Sequence, residues 1–460
     1  MHPGADGLAR GLDRAAGTRP IPGNLITHHA ASARALSAML AMIGEARRWV
    51  HLENYIIRDD VTGRRFADAL SERAREGVRV RVLYDALGSR KTGRRYWQNL
   101  RHAGAEVRPF NPLFDGRPFG WFRRDHRKLL VVDGNRAMVG GLCIGDEWAG
   151  DPARGRQPWR DTALALRGPA AAALDSTFAR VWRRAGTAIP EGELASDPEE
   201  CGPTAVRIVE GVPEGARIWR VVSLLATLST ERLWITDAYL VPPAPIVAGL
   251  VDAAHAGVDV RILVPGATDI PLVQAATRIG YRDLLRAGIR LFEWRGPMLH
   301  AKTLVADRRW VRVGSSNLNV SSLLANYELD VVVDDESLAT EMAEQHRRDA
   351  AASSEVVLVP RRRLPPRLTN AQAEAPTVAH QPTARERAKT AVVALRQVAG
   401  GLRRRLAVAA SGGAALLGAL LLGFPHVTSI TLAAGAFAAA FTFGWYALVR
   451  RARERGQDVP

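Results

Sequence analysis

Lysine is almost missing from this chain. Of 63 basic residues only four are lysines, Lys91, Lys128, Lys302 and Lys389. In a chain that otherwise uses arginine, a lysine marks a place that wants a compact point charge instead of a planar fork. Cysteine is equally scarce. Cys143 and Cys201 follow no metal-ligand spacing and exclude a disulfide scaffold, which fits a reducing compartment. The first 22 residues are rich in Gly, Pro and Arg and hold no apolar run, which excludes a signal peptide there. No carboxylates sit beside the histidines at ligand spacing, so neither a metal nor another cofactor is expected. Acidic residues are too few to balance the basic ones. The net charge of +16 predicts attraction to something anionic, either nucleic acid or a phospholipid surface. With 460 residues, 47% of them hydrophobic, the chain has room for two or three globular domains.

One stretch occurs twice. His126-x-Lys128 is followed after four residues by Asp133, and His300-x-Lys302 is followed after four by Asp307. Six residues further on, each copy reaches a small-residue turn, Gly140-Gly141-Leu142-Cys143 and Gly314-Ser315-Ser316-Asn317. Identical internal spacing, with a glycine turn at the same distance, indicates a duplicated active-site element.

The surroundings repeat as well. In the first half, apolar periodicity predicts a helix over 33–48, a strand over 49–57, a helix over 66–76 and a strand over 78–84. A turn over 85–88, a helix over 97–102 and a strand over 105–109 follow. In the second half, helices over 221–228, 246–255 and 281–286 alternate with strands over 233–240, 258–264 and 289–293. A strand over 329–333 and a helix over 338–352 close it. Strands alternating with helices predict an α/β class, here two duplicated α-β-α sandwich halves that form a pseudo-dimer around one shared active site. The expected divisions are a flexible N-terminus (1–23), a first half (24–189), a linker (190–204), a second half (205–359) and a basic, Pro/Ala-rich tether (360–392).

The last division, 393–460, reads as a membrane hairpin. The stretches 406–424 and 427–449 are uncharged, and each has the roughly 20 residues that a bilayer-spanning helix needs. Pro425-His426 separates them. Arg403 to Arg405 precede the first, and Arg450, Arg451, Arg453 and Arg455 follow the second. Both ends therefore belong on the cytoplasmic side, with the catalytic part, at the cell membrane. Trp445 and Tyr446 sit where an interfacial anchor belongs.

A His and a Lys two apart on a strand point to one face. A neutral imidazole can attack phosphorus, a protonated one can donate to a leaving oxygen, and lysine holds non-bridging phosphate oxygens. His126, Lys128, His300 and Lys302 facing one another supply what phosphodiester exchange needs. Asp133 and Asp307 complete the motif, at strand ends where a structural role is expected. Ser315 and Asn317, with the two lysines, are the candidate phosphate-binding residues. Each histidine needs a carboxylate to fix its tautomer. Asp161, 35 residues after His126, and Glu328, 28 residues after His300, each open a strand-like run and are the candidates. His28, His29, His51, His102 and His255 have no partner pattern and read as surface or core residues.

These paired motifs resemble the phospholipase D superfamily. Its cardiolipin synthase-like branch is indicated by His51-Leu52-Glu53-Asn54-Tyr55-Ile56-Ile57, the stretches 77–88, 140–148 and 237–243, Trp159-Arg160-Asp161-Thr162 and Asn326-Tyr327-Glu328. The resemblance covers about 24–360. It implies transfer of a phosphatidyl group between phosphatidylglycerol molecules through a phosphohistidine, with release of glycerol, and it favours His126 as the nucleophile. It also implies anionic phospholipids as partners, whereas the bilayer as partner is read from the hairpin and the basic charge, since membrane segments in this family more often precede the catalytic domain. Cys143 departs from the asparagine usual in that turn. Water as acceptor would make the chain a hydrolytic phospholipase D releasing phosphatidic acid. A family nuclease or phosphodiesterase suits the charge, but a membrane tether argues against nucleic acid. A non-enzymatic lipid-binding protein would be expected to lack a His or Lys, and both pairs are intact.

Overall fold

The computed structural model describes residues 3–112, 123–195, 198–213 and 215–358. The expected tether and hairpin lie outside them. Among the described residues no helix is long and apolar enough to cross a membrane.

The first half runs α1 (Pro3–Ala16), β1 (Ile21–His29), α2 (Ser32–Gly44), β2 (Trp49–Asn54), α3 (Val61–Arg75), β3 (Arg79–Asp85), α4 (Arg94–His102) and β4 (Glu106–Phe110). It ends with β5 (Lys128–Val132), β6 (Arg136–Gly140), α5 (Asp146–Ala149), β7 (Ala163–Arg167) and α6 (Pro169–Trp182). The second half repeats the plan with β8 (Thr204–Gly211), α7 (Arg217–Leu228), β9 (Arg232–Thr236), α8 (Ala244–His255), β10 (Asp259–Pro265), α9 (Pro271–Arg286) and β11 (Arg290–Trp294). It closes with β12 (Thr303–Ala306), β13 (Trp310–Gly314), β14 (Glu328–Asp334), α10 (Glu336–Ala351) and β15 (Ser353–Val356).

All strands join one sheet in the order β15-β11-β10-β9-β12-β13-β14-β8-β1-β7-β6-β5-β2-β3-β4. From its middle, where β8 pairs antiparallel with β1, the order outward is the same in both directions. The duplication seen in the motifs is therefore a duplication of topology, and among the described residues β15 is the one strand added to it. Strand side chains alternate between faces. Leu129 and Val131 of β5 enter a core with α6 and α10 that spans both halves. Leu130 and Val132 enter a core with α2, α3 and α4 on the other face. There the second half has its own core under α1, α7, α8 and α9. Helices thus cover both faces.

Three expectations need correction. The N-terminus expected to be flexible contains α1, and Leu12 and Ala16 are fully buried against the α7 side of the second-half core. Its apolar residues are few, but they share one face that the distant α7 and β8 cover. The first half begins at Ile21 in β1, before residue 24, and Thr204 of the expected linker already belongs to β8. Helix α9 starts at Pro271, well before residue 281, because a proline in the first turn suits a helix start.

Leu12→Ala is expected to lower stability by about 2–4 kcal/mol, as other buried Leu-to-Ala changes do. The shift of the urea unfolding midpoint measures it. A mobile N-terminus would leave the midpoint unchanged.

Candidate active site

His126 lies two residues before Lys128, the first residue of β5, and His300 lies three before β12 begins at Thr303. Both imidazoles line one cavity of about 790 Å³. Lys128 and Lys302 are buried beneath them, and each ammonium donates to the carbonyl oxygen of its own motif histidine. Nζ of Lys302 is 3.0 Å from Nδ1 of His300. Each imidazole lies within electrostatic reach of both lysines, its own and the one from the other half. The two motifs therefore make one centre.

The structure brings both candidate orienting carboxylates to the histidines, but crosses them between halves. Glu328 of the second half accepts from Nδ1 of His126, with both oxygens at 3.0 Å. Asp161 of the first half accepts from Nδ1 of His300 at 2.7 Å. Backbone hydrogen bonds produce the crossing. The N–H of His126 donates to the carbonyl of Tyr327 at 2.9 Å, and the N–H of Tyr327 to Arg124 at 2.8 Å. The N–H of His300 donates to Arg160 at 2.7 Å, and that of Arg160 to Met298 at 2.9 Å. Each motif is zipped to the segment just before the other half's carboxylate.

The carboxylates are fully buried yet held below the usual carboxylate range. Burial alone would raise them, but the facing imidazole and nearby lysine outweigh it, helped at Glu328 by the Ser315 hydroxyl. An ionised carboxylate can only accept, so each Nδ1 carries hydrogen and each Nε2 keeps a free lone pair. Burial, reinforced by Lys302, pushes His300 down to about 4 against the pull of Asp161. Burial also lowers His126, with Glu328 opposing and Lys128 adding. Burial, with repulsion from Lys128, brings Lys302 down to about 8, although Asp161 opposes the shift. Near neutral pH the resting site holds neutral imidazoles over a charged Lys302.

The remaining candidates divide. Asp133 and Asp307 do not line the cavity. Asp133 accepts from the backbone N–H groups of Arg47, Arg48 and Trp49 at 2.7–3.0 Å. Asp307 does the same for Thr230, Glu231 and Arg232 at 2.8–3.2 Å. Both adopt left-handed φ, 55° and 53°, a conformation that Asp tolerates better than most side chains. They hold the chain entering β2 and β9, as motif members with a structural task. Ser315 also leaves the phosphate role expected of it. Its hydroxyl donates to Glu328, accepts from the N–H of Leu329 at 2.9 Å and does not face the cavity. Asn317 does line the cavity, and Cys143 lines it from the first half. Cys143 is buried, which raises its thiol.

Several site residues were not visible in the motif. Trp148 donates from Nε1 to Asp161 at 3.1 Å, and the hydroxyl of Ser322 donates to Glu328. The Tyr55 and Tyr239 rings stand edge-on to His126 and His300, with centroids at 4.8 and 5.9 Å. Gly141 is required by contact, since a Cβ there would lie 2.2 Å from Oδ1 of Asp161. The glycine turn was the available signal for Gly141. Tyr55, Trp148 and Tyr239 lie in stretches that carry the family resemblance, whereas Ser322 reaches the site only through tertiary packing. Among the described residues, no group of three or more His, Cys, Asp or Glu could hold a metal ion.

A buried, duplicated His-Lys centre in a pseudo-symmetric α/β cleft defines a phospholipase D-like site. Residues 39–147 and 224–350 match the family model described as "Cardiolipin synthase, PLD-like domain". The chain belongs to that family. It is 36% identical over 301 residues to a cardiolipin synthase of Halalkalibacterium halodurans, covering 62% of this chain and 58% of that one. It is 35% identical over 322 residues to cardiolipin synthase A of Pseudomonas aeruginosa strain LESB58, covering 69% and 65%. The chain thus spans less than two thirds of either relative. The crystal structure of phosphatidylserine synthase from Haemophilus influenzae Rd KW20 superposes with a TM-score of 0.59 at 15% identity, over 76% of this chain and 92% of that one. That likeness is one of fold.

Two outcomes follow. Asp161→Asn is expected to perturb the ring-nitrogen NMR signals of His300 and spare those of His126, with Glu328→Gln doing the reverse. Either should lower kcat on the order of 10²–10⁴-fold, as loss of an orienting carboxylate does elsewhere. Second, kcat at saturating substrate should fall as pH rises through about 8, where Lys302 loses its proton. Lys302→Arg should abolish this alkaline limb, because guanidinium stays charged. A pH–rate profile tests it.

Proposed function

We propose that this chain is a membrane-held phosphatidyltransferase of the cardiolipin synthase kind, which joins two phosphatidylglycerol molecules and releases glycerol. The observation that carries the proposal is the crossed centre. Two imidazoles, each with Nδ1–H tied to a carboxylate and Nε2 free, share one cavity over two buried lysines.

In the first step one Nε2 attacks the phosphorus of the donor lipid. The bond from phosphorus to the glycerol headgroup oxygen breaks, and the other histidine, as imidazolium, gives that oxygen its proton. That proton is taken up from solvent as the phosphate anion binds, because the anion raises the imidazole's proton affinity. In the second step the hydroxyl of a second phosphatidylglycerol gives its proton to the same imidazole. Its oxygen attacks phosphorus, and the phosphorus–nitrogen bond breaks. Both histidines return to their starting states. The lysines offset charge on the non-bridging oxygens throughout.

Membrane residence is supported by the two apolar stretches 406–424 and 427–449 with their arginine flanks, which would hold the cleft on the cytoplasmic face. The net charge of +16 suits an anionic lipid surface.

The test supplies the full chain in vesicles with labelled phosphatidylglycerol. Cardiolipin and glycerol in equal amounts are expected, each lowered by on the order of 10²–10⁴-fold or more in His126→Ala and His300→Ala. Phosphatidic acid as the only product would replace the transferase by a hydrolase. No phospholipid turnover would overturn the lipid reading.

A further inference from the structure

The halves are alike in topology, yet at two matched positions they line the shared cavity with different chemistry, while Asn317, Asn319, Ser321, Ser322 and Asn326 make the rest of the second-half lining polar. Equivalent positions can be matched through the backbone. The N–H of Arg58 donates to the carbonyl of Ile144 at 2.9 Å, and the N–H of Val241 donates to Leu318 at 3.0 Å. Ile144 and Leu318 each follow the matched turn residues Cys143 and Asn317. Arg58 and Val241 are therefore counterparts. Arg90 lies five residues beyond the end of β3, and Ile270 lies five beyond the end of β10. All four residues line the cavity. At both pairs the first half presents arginine and the second half an aliphatic side chain. Lys91 extends the basic wall, and Val273 extends the aliphatic one.

The lysine count sharpens the contrast. Three of the four lysines fall among the described residues, and all three belong to this site: Lys128 and Lys302 beneath the imidazoles, and Lys91 on the wall. Acidic groups on the lining do not cancel the wall. Glu147 accepts from Nε of Arg58 at 3.0 Å, and Asp269 accepts from the Tyr239 hydroxyl at 2.7 Å. Arg90 and Lys91 remain as exposed cations on the first-half side.

We propose that Arg90 and Lys91, with Arg58 behind them, form a second phosphodiester site, which holds the phosphate of the accepting lipid while its free hydroxyl is aimed at the catalytic centre. The aliphatic wall then takes the glycerol backbone of the donor. The inference rests on the phosphatidyltransferase reading, and it assigns the acceptor's place to named side chains. A neutral acceptor, such as water or a simple alcohol, gains nothing from two exposed cations. An anionic acceptor gains charge-assisted hydrogen bonds to its phosphate.

The test compares the full chain with the Arg90→Gln/Lys91→Gln variant, both in phosphatidylcholine nanodiscs. Equilibrium dialysis with the water-soluble headgroup glycerophosphoglycerol is expected to give two bound molecules per wild-type chain and one per variant. Both altered side chains are exposed, so the fold is retained, which circular dichroism checks. In turnover with phosphatidylglycerol and ethanol together, the ratio of cardiolipin to phosphatidylethanol is expected to fall about tenfold or more in the variant, the loss that charged hydrogen bonds bring. One bound headgroup in the wild type, or an unchanged ratio, would overturn the second site. Absence of any phosphatidyl turnover would instead overturn the transferase reading, and the headgroup stoichiometry would still decide the site.

Discussion

Four backbone hydrogen bonds that cross between the halves determine everything in the cleft. They link His126 and Arg124 to Tyr327, and His300 and Met298 to Arg160. Each is short and lies in the interior, where a lost backbone partner costs as much as a lost hydrogen bond. Through them, Glu328 and Asp161 arrive at the other half's histidine. The tautomers, the depressed carboxylate proton affinities and the free Nε2 positions are consequences of that exchange.

The electrostatics follow from burial. Taking His300 and Lys302 out of water favours their neutral forms, and the proximity of two ammonium groups adds to this. The carboxylates respond in the opposite sense, because each faces an imidazole and a lysine across a short distance. A second buried carboxyl cluster lies beside the centre. Glu53 and Asp125 are fully buried; burial and the Asp125 charge raise Glu53 well above its usual value, while burial and the Asp85 charge raise Asp125 to about 7 against a hydrogen bond with Glu53. Arg127, also fully buried, lies close enough to oppose both shifts, and it donates to Glu210 at 3.1 Å. The strand that begins with the catalytic motif is thus anchored from below by charge as well as by apolar packing.

Much of this could be read from residues alone. Periodicity located β2, β3, β9 and β10 and most of the helices between them, because alternating and helical patterns survive duplication. Spacing located both His-Lys pairs. Asp161 and Glu328 were identifiable as carboxylates opening strands, but their crossing was not. Glu328 is 202 residues from the histidine it orients, and sequence distance carries no information about which half it will face. Ser315 was misplaced because a hydroxyl on a turn can point to a ligand or into the core, and only Glu328 decides which. Helix α1 was missed because its apolar face is meaningful only once α7 exists to cover it. The polarity of the cavity walls needs the matched backbone before Arg58 and Val241 can be compared at all.

The crossed carboxylates also impose an order in time. A ribosome that has just finished His126 has made an imidazole with no partner to hold its proton. The residue that orients it emerges 202 positions later. At roughly 5–20 residues per second that is a wait on the order of 10–40 s. Throughout that interval the nascent first half has His126 and its lysine but no fixed tautomer. The paired His-Lys centre stays incomplete until both halves have been synthesised, and a product truncated before Glu328 never completes it.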